Sequence, residues 1–333
     1  MENKIRIGIT HGDINGVGYE IILKTLEDSR MLDLCIPVVY GSPKVAAFYR
    51  KIVGSNLTFN LINNAEDASD KHVNMVNCCS DEIKVEISQS TAMAGEAAFS
   101  ALEKAVRDLK DGHLDAIVTA PINKHNIQSV HFQFPGHTEY LEGSFGQKGD
   151  ALMMLVSGNL RIAVATGHIP VSKVSENLST ESILGKLRIF NNSLQKDFGI
   201  RCPRIAVLGL NPHAGDEGLL GTEEQEVIRP ALEAALEEGI ICNGPLPSDG
   251  FFGSDNYRKY DGILAMYHDQ GLIPFKLLAM DSGVNFTAGL DIVRTSPDHG
   301  TAYDIAGQNK ASENSFRQAL YAAIDICRNR AGY

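Results

Sequence analysis

The chain has 333 residues with 44% apolar and 21% charged residues, the composition of an ordinary globular protein with room for two domains. The formal net charge of −11 argues against nucleic acid or an anionic membrane as a general partner, because both are bound through basic surfaces. No apolar run reaches the roughly 18 residues of a membrane span, and the first apolar stretch is too short for a signal peptide, so a cytoplasmic location is expected.

Short apolar runs alternate with helical patterns along most of the chain. Alternating strands and helices predict an α/β fold with a largely parallel sheet. Only Asn159 and Leu160 separate the fourth run from the fifth, which predicts a hairpin in the middle of the chain. The runs that predict buried strands are 5–10, 36–41, 116–121, 151–158, 161–167, 204–210 and 262–267.

The helical segments have apolar residues at every third or fourth position. One of them contains Thr222 and Gln225 in the spacing of a capping box. Gly199 and Gly239 are the expected stops of two helices. The predicted helices are 93–109, 183–198, 222–239 and about 312–328.

The glycine-rich stretch THGDINGVGYE, residues 10–20, joins a predicted strand to a predicted helix. Gly16 and Gly18 lack the third glycine of a dinucleotide-binding fingerprint. We therefore interpret the stretch as a tight turn, with Asp13 or Asn15 capping the helix.

Three predicted strands are each followed by a histidine in a glycine-containing turn: His168, His213 and His268. Ligands bind outside the carboxyl ends of the strands in α/β sheets, so these side chains could converge on one crevice. Three histidines with an open position form a catalytic metal site in many enzymes. The alternative is that each is an ordinary surface-loop residue, and the residues alone leave both possibilities open.

Two further groups suit a polar, anionic ligand. His137 lies beside Thr138 after a Phe-Pro-Gly turn. Two cations and an amide, Lys276, Arg294 and Asn285, could together provide the locally positive site that a phosphate needs on an acidic chain, although each alone could lie on a solvated surface. Lys276 lies in the apolar stretch LIPFKLL, where a charge requires a reason.

The motifs together resemble one family. TAPINK, PGHTEYL, GHIPVSKV, GLNPHAGDEGLLGTEE, GPLPSDGFF, AMYHDQGLIPFK and GVNFTAGLDIVRTSPDHGTAYDIAG occur in order, and with GDINGVGYEI they extend from residue 12 to residue 307. They resemble the 4-hydroxythreonine-4-phosphate dehydrogenases of vitamin B6 biosynthesis. NPHAG with GTEE, and YHDQG, are specific motifs.

The resemblance implies a homodimeric, metal-dependent, NAD- or NADP-using enzyme with an isocitrate/isopropylmalate dehydrogenase-like fold of two α/β/α domains around a cleft. Residues 1–130 with 295–333 are expected to form the cofactor-side domain, and 131–294 the domain of metal, substrate and dimer interface. His168, His213 and His268 are implied as ligands of a divalent ion (Zn²⁺, Co²⁺ or Mg²⁺), shared between subunits.

The resemblance also assigns the remaining site residues and a reaction. In that reaction the C3 hydroxyl of 4-phosphooxy-L-threonine is oxidised, and the 2-amino-3-oxo-4-phosphooxybutanoate formed decarboxylates to 3-amino-2-oxopropyl phosphate. Asp249 is the candidate base that removes the hydroxyl proton. The substrate contacts are His137, Thr138, Lys276, Asn285 and Arg294, and the segment 296–307 implies NAD(P) contacts at His299, Gly300, Thr301 and Asp304.

Departures from the family pattern leave the substrate open. Ile14, Asn15 and Tyr19 stand where the family has prolines and alanine, and the segment near Asp249 also differs. The alternative is a dehydrogenase of D-threonate or D-erythronate 4-phosphate, whose substrates differ chiefly at C2. Rivals from other classes are a metallohydrolase, an acyl-phosphate transferase and a non-catalytic phosphosugar-binding protein.

Overall fold

A computed structural model describes residues 4–279 and 281–332. None of the described helices is long and apolar enough to cross a membrane. The strands are β1 (Ile5–Thr10), β2 (Cys35–Gly41), β3 (Asn60–Ile62), β4 (Asn74–Asn77), β5 (Ala116–Thr119), β6 (Leu152–Ser157), β7 (Leu160–Val164), β8 (Ile205–Leu208), β9 (Cys242–Leu246), β10 (Gly262–Ala265), β11 (Val284–Ala288) and β12 (Val293–Pro297). The helices are α1 (Gly18–Leu26), α2 (Met31–Leu34), α3 (Pro43–Val53), α4 (Ala92–Lys110), α5 (His137–Phe145), α6 (Thr180–Lys196), α7 (Arg229–Glu237), α8 (Ser248–Gly253), α9 (His268–Ala279) and α10 (Asn314–Ala331).

The chain forms two compact units, of which unit 1 comprises Met1–Phe145 and Asp291–Arg328. Its strands lie in the order β3-β4-β2-β1-β5-β12, and every pair is parallel. All seven residues of β2 are buried, as expected for a parallel strand covered on both faces. Helix α4 packs against β1, β2 and β5 through its alanine-rich apolar side.

Unit 2 comprises Gly146–Leu290 and Asn329–Tyr333. Its strands lie in the order β11-β6-β7-β10-β8-β9. β6 pairs antiparallel with both β11 and β7, whereas the pairs from β7 to β9 are parallel. The predicted hairpin is confirmed as β6–β7, with Gly158 and Asn159 between the strands and Gly158 at a φ of 55°.

The α/β class predicted from the sequence is confirmed, as are the seven predicted strands, most of which end earlier than the apolar runs do. The capping box at Thr222 is wrong. The chain there forms a π-helical turn, Glu224–Ile228, without a side-chain cap, and α7 follows it. Pro230 lacks an N–H group and so cannot make the i to i−4 hydrogen bond that a continuous α-helix would need there.

Candidate active site

The three candidate metal ligands follow the carboxyl ends of neighbouring strands in unit 2. β10 lies between β7 and β8 and pairs parallel with both. His168 follows β7, His213 follows β8, and His268 begins α9 shortly after β10. Because parallel strands end at the same edge of a sheet, the fold places the three residues at one edge, as the sequence predicted.

Two of these histidines are close to each other. The ring centres of His168 and His268 are 5.3 Å apart. His268 Nδ1 lies 2.7 Å from Asp269 Oδ1, a contact that orients the ring and leaves Nε2 for another partner. Within residues 4–279 and 281–332, no three His, Cys, Asp or Glu side chains are grouped closely enough to hold a metal ion.

His213 lies in a loop with an unusual backbone. It has a φ of 53°, and Ala214, Asp216 and Glu217 also have positive φ values between 43° and 53°. Such left-handed residues cost about 1–2 kcal/mol each, so surrounding contacts must hold the loop. The loop's backbone is therefore set by its tertiary contacts rather than by local preference.

Glu224 supplies one of those contacts. This buried carboxylate accepts the backbone N–H of Asn211 (2.7 Å) and its Nδ2 group (2.9 Å), two residues before His213. A Cβ on Gly215 would lie 2.7 Å from Glu224 Oε2, which explains glycine at that position. Sequence reasoning did not single out Asn211 or Glu224, although both lie in the specific motif NPHAG…GTEE.

Asp249, the candidate base, lies in the first turn of α8 and is exposed. It belongs to unit 2, like the three histidines. Its neighbour Ser248 is held by a hydrogen bond from Gln270 Nε2 (2.7 Å). The carboxylate can therefore reach solvent or a ligand from a helix whose first residue is fixed.

Arg294 and His137 are both buried in unit 1, where the charge of Arg294 acts on the imidazole of His137. Arg294, on β12, is 4% exposed and donates to Thr119 Oγ1 on β5 through Nε (3.1 Å) and Nη2 (2.8 Å). Burial lowers the pKa of Arg294 to about 10. Burial also lowers the pKa of His137, at the start of α5, with further lowering by the charges of Arg294 and Lys124, so this imidazole is neutral near pH 7.

His137 Nε2 is buried and has no hydrogen-bond partner in the described part of the chain. Thr138 follows it in α5 and is half-buried. A neutral imidazole and a guanidinium together can bind a phosphate or a carboxylate through hydrogen bonds and charge. The sequence predicted Arg294 together with Lys276 and Asn285 for an anion, whereas the structure has Arg294 in the same unit as His137.

Lys276 and Asn285 lie in unit 2. Lys276 is exposed on α9. Asn285 is on β11, and its Oδ1 atom is buried without a partner among the described residues. The five predicted substrate residues are thus divided between the units, with His137, Thr138 and Arg294 in unit 1.

The predicted cofactor residues His299, Gly300, Thr301 and Asp304 lie in the loop between β12 and α10. The Thr301 carbonyl accepts the N–H of Val17 at the start of α1 (3.1 Å). The loop therefore packs against the glycine-rich stretch of residues 10–20. A Cβ on Gly16 would lie 2.7 Å from the Thr301 oxygen, so this approach requires glycine.

The predicted helix cap by Asp13 or Asn15 is wrong, because α1 starts after Val17 without a side-chain cap. The Asp13 carboxylate is fully buried and accepts hydrogen bonds from the Asn15 N–H (2.8 Å), Asn126 Nδ2 (2.7 Å) and the Tyr303 hydroxyl (2.8 Å). Burial raises the pKa of Tyr303 to about 12, which keeps its hydroxyl protonated as a donor. Asp13 thus joins the glycine-rich turn to the predicted cofactor loop.

Comparison with known proteins decides the family. Residues 33–323 match the family model described as "Pyridoxal phosphate biosynthetic protein PdxA". The chain belongs to this family. It is 60% identical over 329 residues to a 4-hydroxythreonine-4-phosphate dehydrogenase of Bacteroides thetaiotaomicron, covering 99% of this chain and 90% of that protein. It is 39% identical to a D-threonate 4-phosphate dehydrogenase of Cupriavidus necator, covering 98% of each chain.

The fold comparison agrees with the family. A crystal structure of 4-hydroxythreonine-4-phosphate dehydrogenase from Klebsiella pneumoniae has a TM-score of 0.85 at 34% identity, covering 98% of each chain. A terephthalate 1,2-cis-dihydrodiol dehydrogenase from Burkholderia xenovorans has a TM-score of 0.64 at 25% identity, covering 98% of each chain. The chain therefore has the fold of these dehydrogenases, in the α/β class predicted from its sequence.

Proposed function

We propose that the protein is an NAD- or NADP-dependent 4-hydroxythreonine-4-phosphate dehydrogenase of vitamin B6 biosynthesis. The observation that carries this proposal is the 60% identity, over 99% of the chain, to a relative with that name. The buried pair of Arg294 and His137 supports it, because a phosphorylated substrate needs such a site on a chain with a net charge of −11.

In the proposed reaction, the C3 hydroxyl of 4-phosphooxy-L-threonine loses its proton to Asp249 while C3 transfers a hydride to NAD(P)⁺. The products of this step are 2-amino-3-oxo-4-phosphooxybutanoate and NAD(P)H. The first is a β-keto acid, and loss of CO₂ converts it to 3-amino-2-oxopropyl phosphate. Arg294 and His137 hold the phosphate, and the exposed position of Asp249 suits a group that must pass its proton to water.

Two of the three histidines of unit 2, His168 and His268, are close enough to each other to hold one divalent ion, Zn²⁺, Co²⁺ or Mg²⁺. The ring centres of His168 and His268 are 5.3 Å apart, and His213 is proposed as the third ligand. Such an ion, when bound, would supply Lewis acidity that lowers the pKa of a substrate hydroxyl and stabilises enolate charge.

The nucleotide is assigned to the loop of His299, Gly300, Thr301 and Asp304. His299 Nε2 is a buried atom without a partner in the described residues, and Gly300 is exposed beside it. This loop provides a ring nitrogen and an open backbone for the adenine side of NAD(P). It is held in place by Asp13 through Tyr303.

We further propose a homodimer whose active site contains residues of both subunits. Ile273 is 58% exposed and Leu277 75% exposed on α9, the helix that begins at His268. Residues at i, i+3 and i+4 share one side of a helix, so Lys276 lies on the same side as these two. A partner subunit covering this side would bury the two apolar residues and bring Lys276 into the shared site.

The second candidate is oxidation of D-threonate or D-erythronate 4-phosphate. The 39% identity to the threonate enzyme over 98% of both chains favours it as the alternative. These substrates have a hydroxyl at C2 where 4-phosphooxy-L-threonine has an amine. The group at C2 is therefore the chief difference between the two proposals.

The test is side-by-side kinetics on 4-phosphooxy-L-threonine, D-threonate 4-phosphate and D-erythronate 4-phosphate with each nicotinamide cofactor and a divalent ion. We expect the highest kcat/KM for 4-phosphooxy-L-threonine, measured as formation of reduced nicotinamide. Asp249→Asn should reduce kcat about 100- to 10,000-fold. Asp255→Asn, an exposed change in the same unit, should leave kcat unchanged.

Preference for either hydroxy-acid phosphate would favour the second candidate. Phosphate release without nicotinamide would instead show a hydrolase. A normal kcat for Asp249→Asn would remove the role assigned to that carboxylate while leaving the dehydrogenase proposal intact.

A further inference from the structure

Gln270 lies in the first turn of α9, just after His268, and its side chain is hydrogen-bonded to three separate segments. Its Oε1 atom accepts the N–H of Met266 (2.7 Å). Its Nε2 group donates to the Gly209 carbonyl (2.5 Å) and to Ser248 Oγ (2.7 Å). One half-buried side chain thus connects the residues that follow β10 and β8 with the first residue of α8.

Each of these partners closely precedes a residue of the proposed active site. Met266 precedes His268 by two positions, and Gly209 precedes the turn that carries His213. Ser248 is adjacent to Asp249. The hydrogen bonds of Gln270 therefore set the distances between three segments that are far apart in sequence.

The segment of His168 joins this arrangement through Met266. Thr166 donates to the Met266 carbonyl through its backbone N–H (3.2 Å) and through Oγ1 (2.7 Å). Thr166 is buried and lies two residues before His168. Met266 is therefore held by Thr166 on its carbonyl side and by Gln270 on its N–H side.

The chemistry of the three contacts requires an amide. A glutamine side chain offers one acceptor oxygen and two N–H donors, which match one backbone N–H, one carbonyl and one hydroxyl. A carboxylate at this position would bring one of its oxygens against the Gly209 carbonyl oxygen, and because both atoms are acceptors they would make no hydrogen bond. A methionine would make none of the three hydrogen bonds.

We propose that Gln270 is a positioning residue, which fixes the segments carrying His213, His268 and Asp249 relative to one another. The inference rests on the proposed function, since it takes these histidines as ligands of a divalent ion. Residues that hold metal ligands through hydrogen bonds typically contribute a factor of 10–100 in metal affinity. Gln270 acts on the ligands through the backbone rather than through the ring nitrogens.

The test is a Co²⁺ titration of chelator-treated protein followed by visible absorption, together with kcat and KM. Gln270→Met and Gln270→Glu should each raise the Kd for Co²⁺ about 10- to 100-fold and lower kcat, with the KM for NAD(P)⁺ unchanged. Ser248→Ala removes one partner only and should have a smaller effect in the same direction. The matched control is Gln195→Glu on α6, an exposed glutamine whose one contact is to the Arg201 carbonyl at 3.5 Å.

The possible results are distinguishable. The inference is overturned if both Gln270 variants bind Co²⁺ with a Kd within twofold of that of the unchanged protein. A lowered melting temperature with an unchanged Kd for Co²⁺ also overturns it. If Gln270→Met fails to unfold cooperatively, Gln270→Glu and Ser248→Ala decide by the same criterion. Failure of the unchanged protein to bind Co²⁺ overturns the metal part of the proposed function, and the inference falls with it.

Discussion

Arg294 allows the contribution of one side chain to substrate binding to be worked out from its burial. Its pKa falls from 12.5 to about 10 because the guanidinium is desolvated. At about 1.4 kcal/mol per pKa unit, holding this charge inside the free protein costs roughly 3 kcal/mol. A phosphate dianion beside the guanidinium would recover much of that cost. Replacing Arg294 by an uncharged residue should therefore weaken substrate binding by about 2–4 kcal/mol.

The variants are Arg294→Met and Arg294→Lys, assayed by steady-state kinetics. Arg294→Met should lower kcat/KM for the phosphorylated substrate about 30- to 1000-fold, with the KM for NAD(P)⁺ hardly changed. Arg294→Lys should recover part of the loss, because a lysine keeps the charge but not the forked donor geometry. Arg107→Met, at an arginine with a 64% exposed side chain in the same unit, is the control and should have no effect.

Stability gives a second readout. Removing a desolvated charge favours the folded state, while leaving Thr119 without its donors disfavours it, so the melting temperature of ligand-free Arg294→Met should change little. The reasoning is refuted if Arg294→Met leaves the substrate KM unchanged and raises only that of NAD(P)⁺. The phosphate site would then lie elsewhere, and Arg294 would serve the nucleotide.

Three further predictions concern other residues. Mixing inactive His213→Ala and His268→Ala proteins should restore some activity if the site spans two subunits. If no activity returns although subunit exchange is proven, all three ligands lie in one chain. Burial lowers the pKa of His11 to about 4, so the folded state binds fewer protons than the unfolded state and stability is lost as pH falls from about 6.5 to 4. His11→Gln should reduce this loss by up to about 3 kcal/mol in urea unfolding at pH 7 and pH 4, and equal losses would contradict it. Tyr303→Phe leaves the buried Asp13 with one hydrogen-bond donor fewer, which should lower the free energy of unfolding by about 1–3 kcal/mol. The same variant should raise the KM for NAD(P)⁺. An unchanged KM would show that this contact does not affect cofactor binding.

The positions of the three histidines could be predicted because they depend on local patterns. An apolar run predicts a buried strand, and the residue after it must lie at the strand's carboxyl end. That reasoning placed His168, His213 and His268 at one edge of a sheet without any knowledge of the sheet order. The pairing of β10 with both β7 and β8 was not predictable, because it depends on contacts between distant segments.

Asp13 shows why local rules fail for side chains with distant partners. An aspartate before a helix is a frequent cap, since its oxygen can accept a nearby N–H. Here one carboxylate oxygen accepts the N–H of Asn15 in the turn before the helix, and the other accepts the Tyr303 hydroxyl, 290 positions away along the chain, and Asn126 Nδ2. Burial makes those contacts stronger than a cap in water, so tertiary structure overrides the local preference. Gln270 is a similar case, because its contacts to Gly209 and Ser248 join segments that are distant in sequence.

The unpaired buried atoms bear on where ligands bind. His137 Nε2, Asn285 Oδ1 and His299 Nε2 are buried without partners among the described residues, and all three belong to residues that the family resemblance assigns to ligand contacts. Not every such atom marks a site, since His11 Nδ1 is another. An unsatisfied buried polar group costs about 1–3 kcal/mol, which a ligand supplying its hydrogen bond would recover. The free energy spent in the free protein is thus available for binding at the positions where the proposed reaction needs substrate and nucleotide.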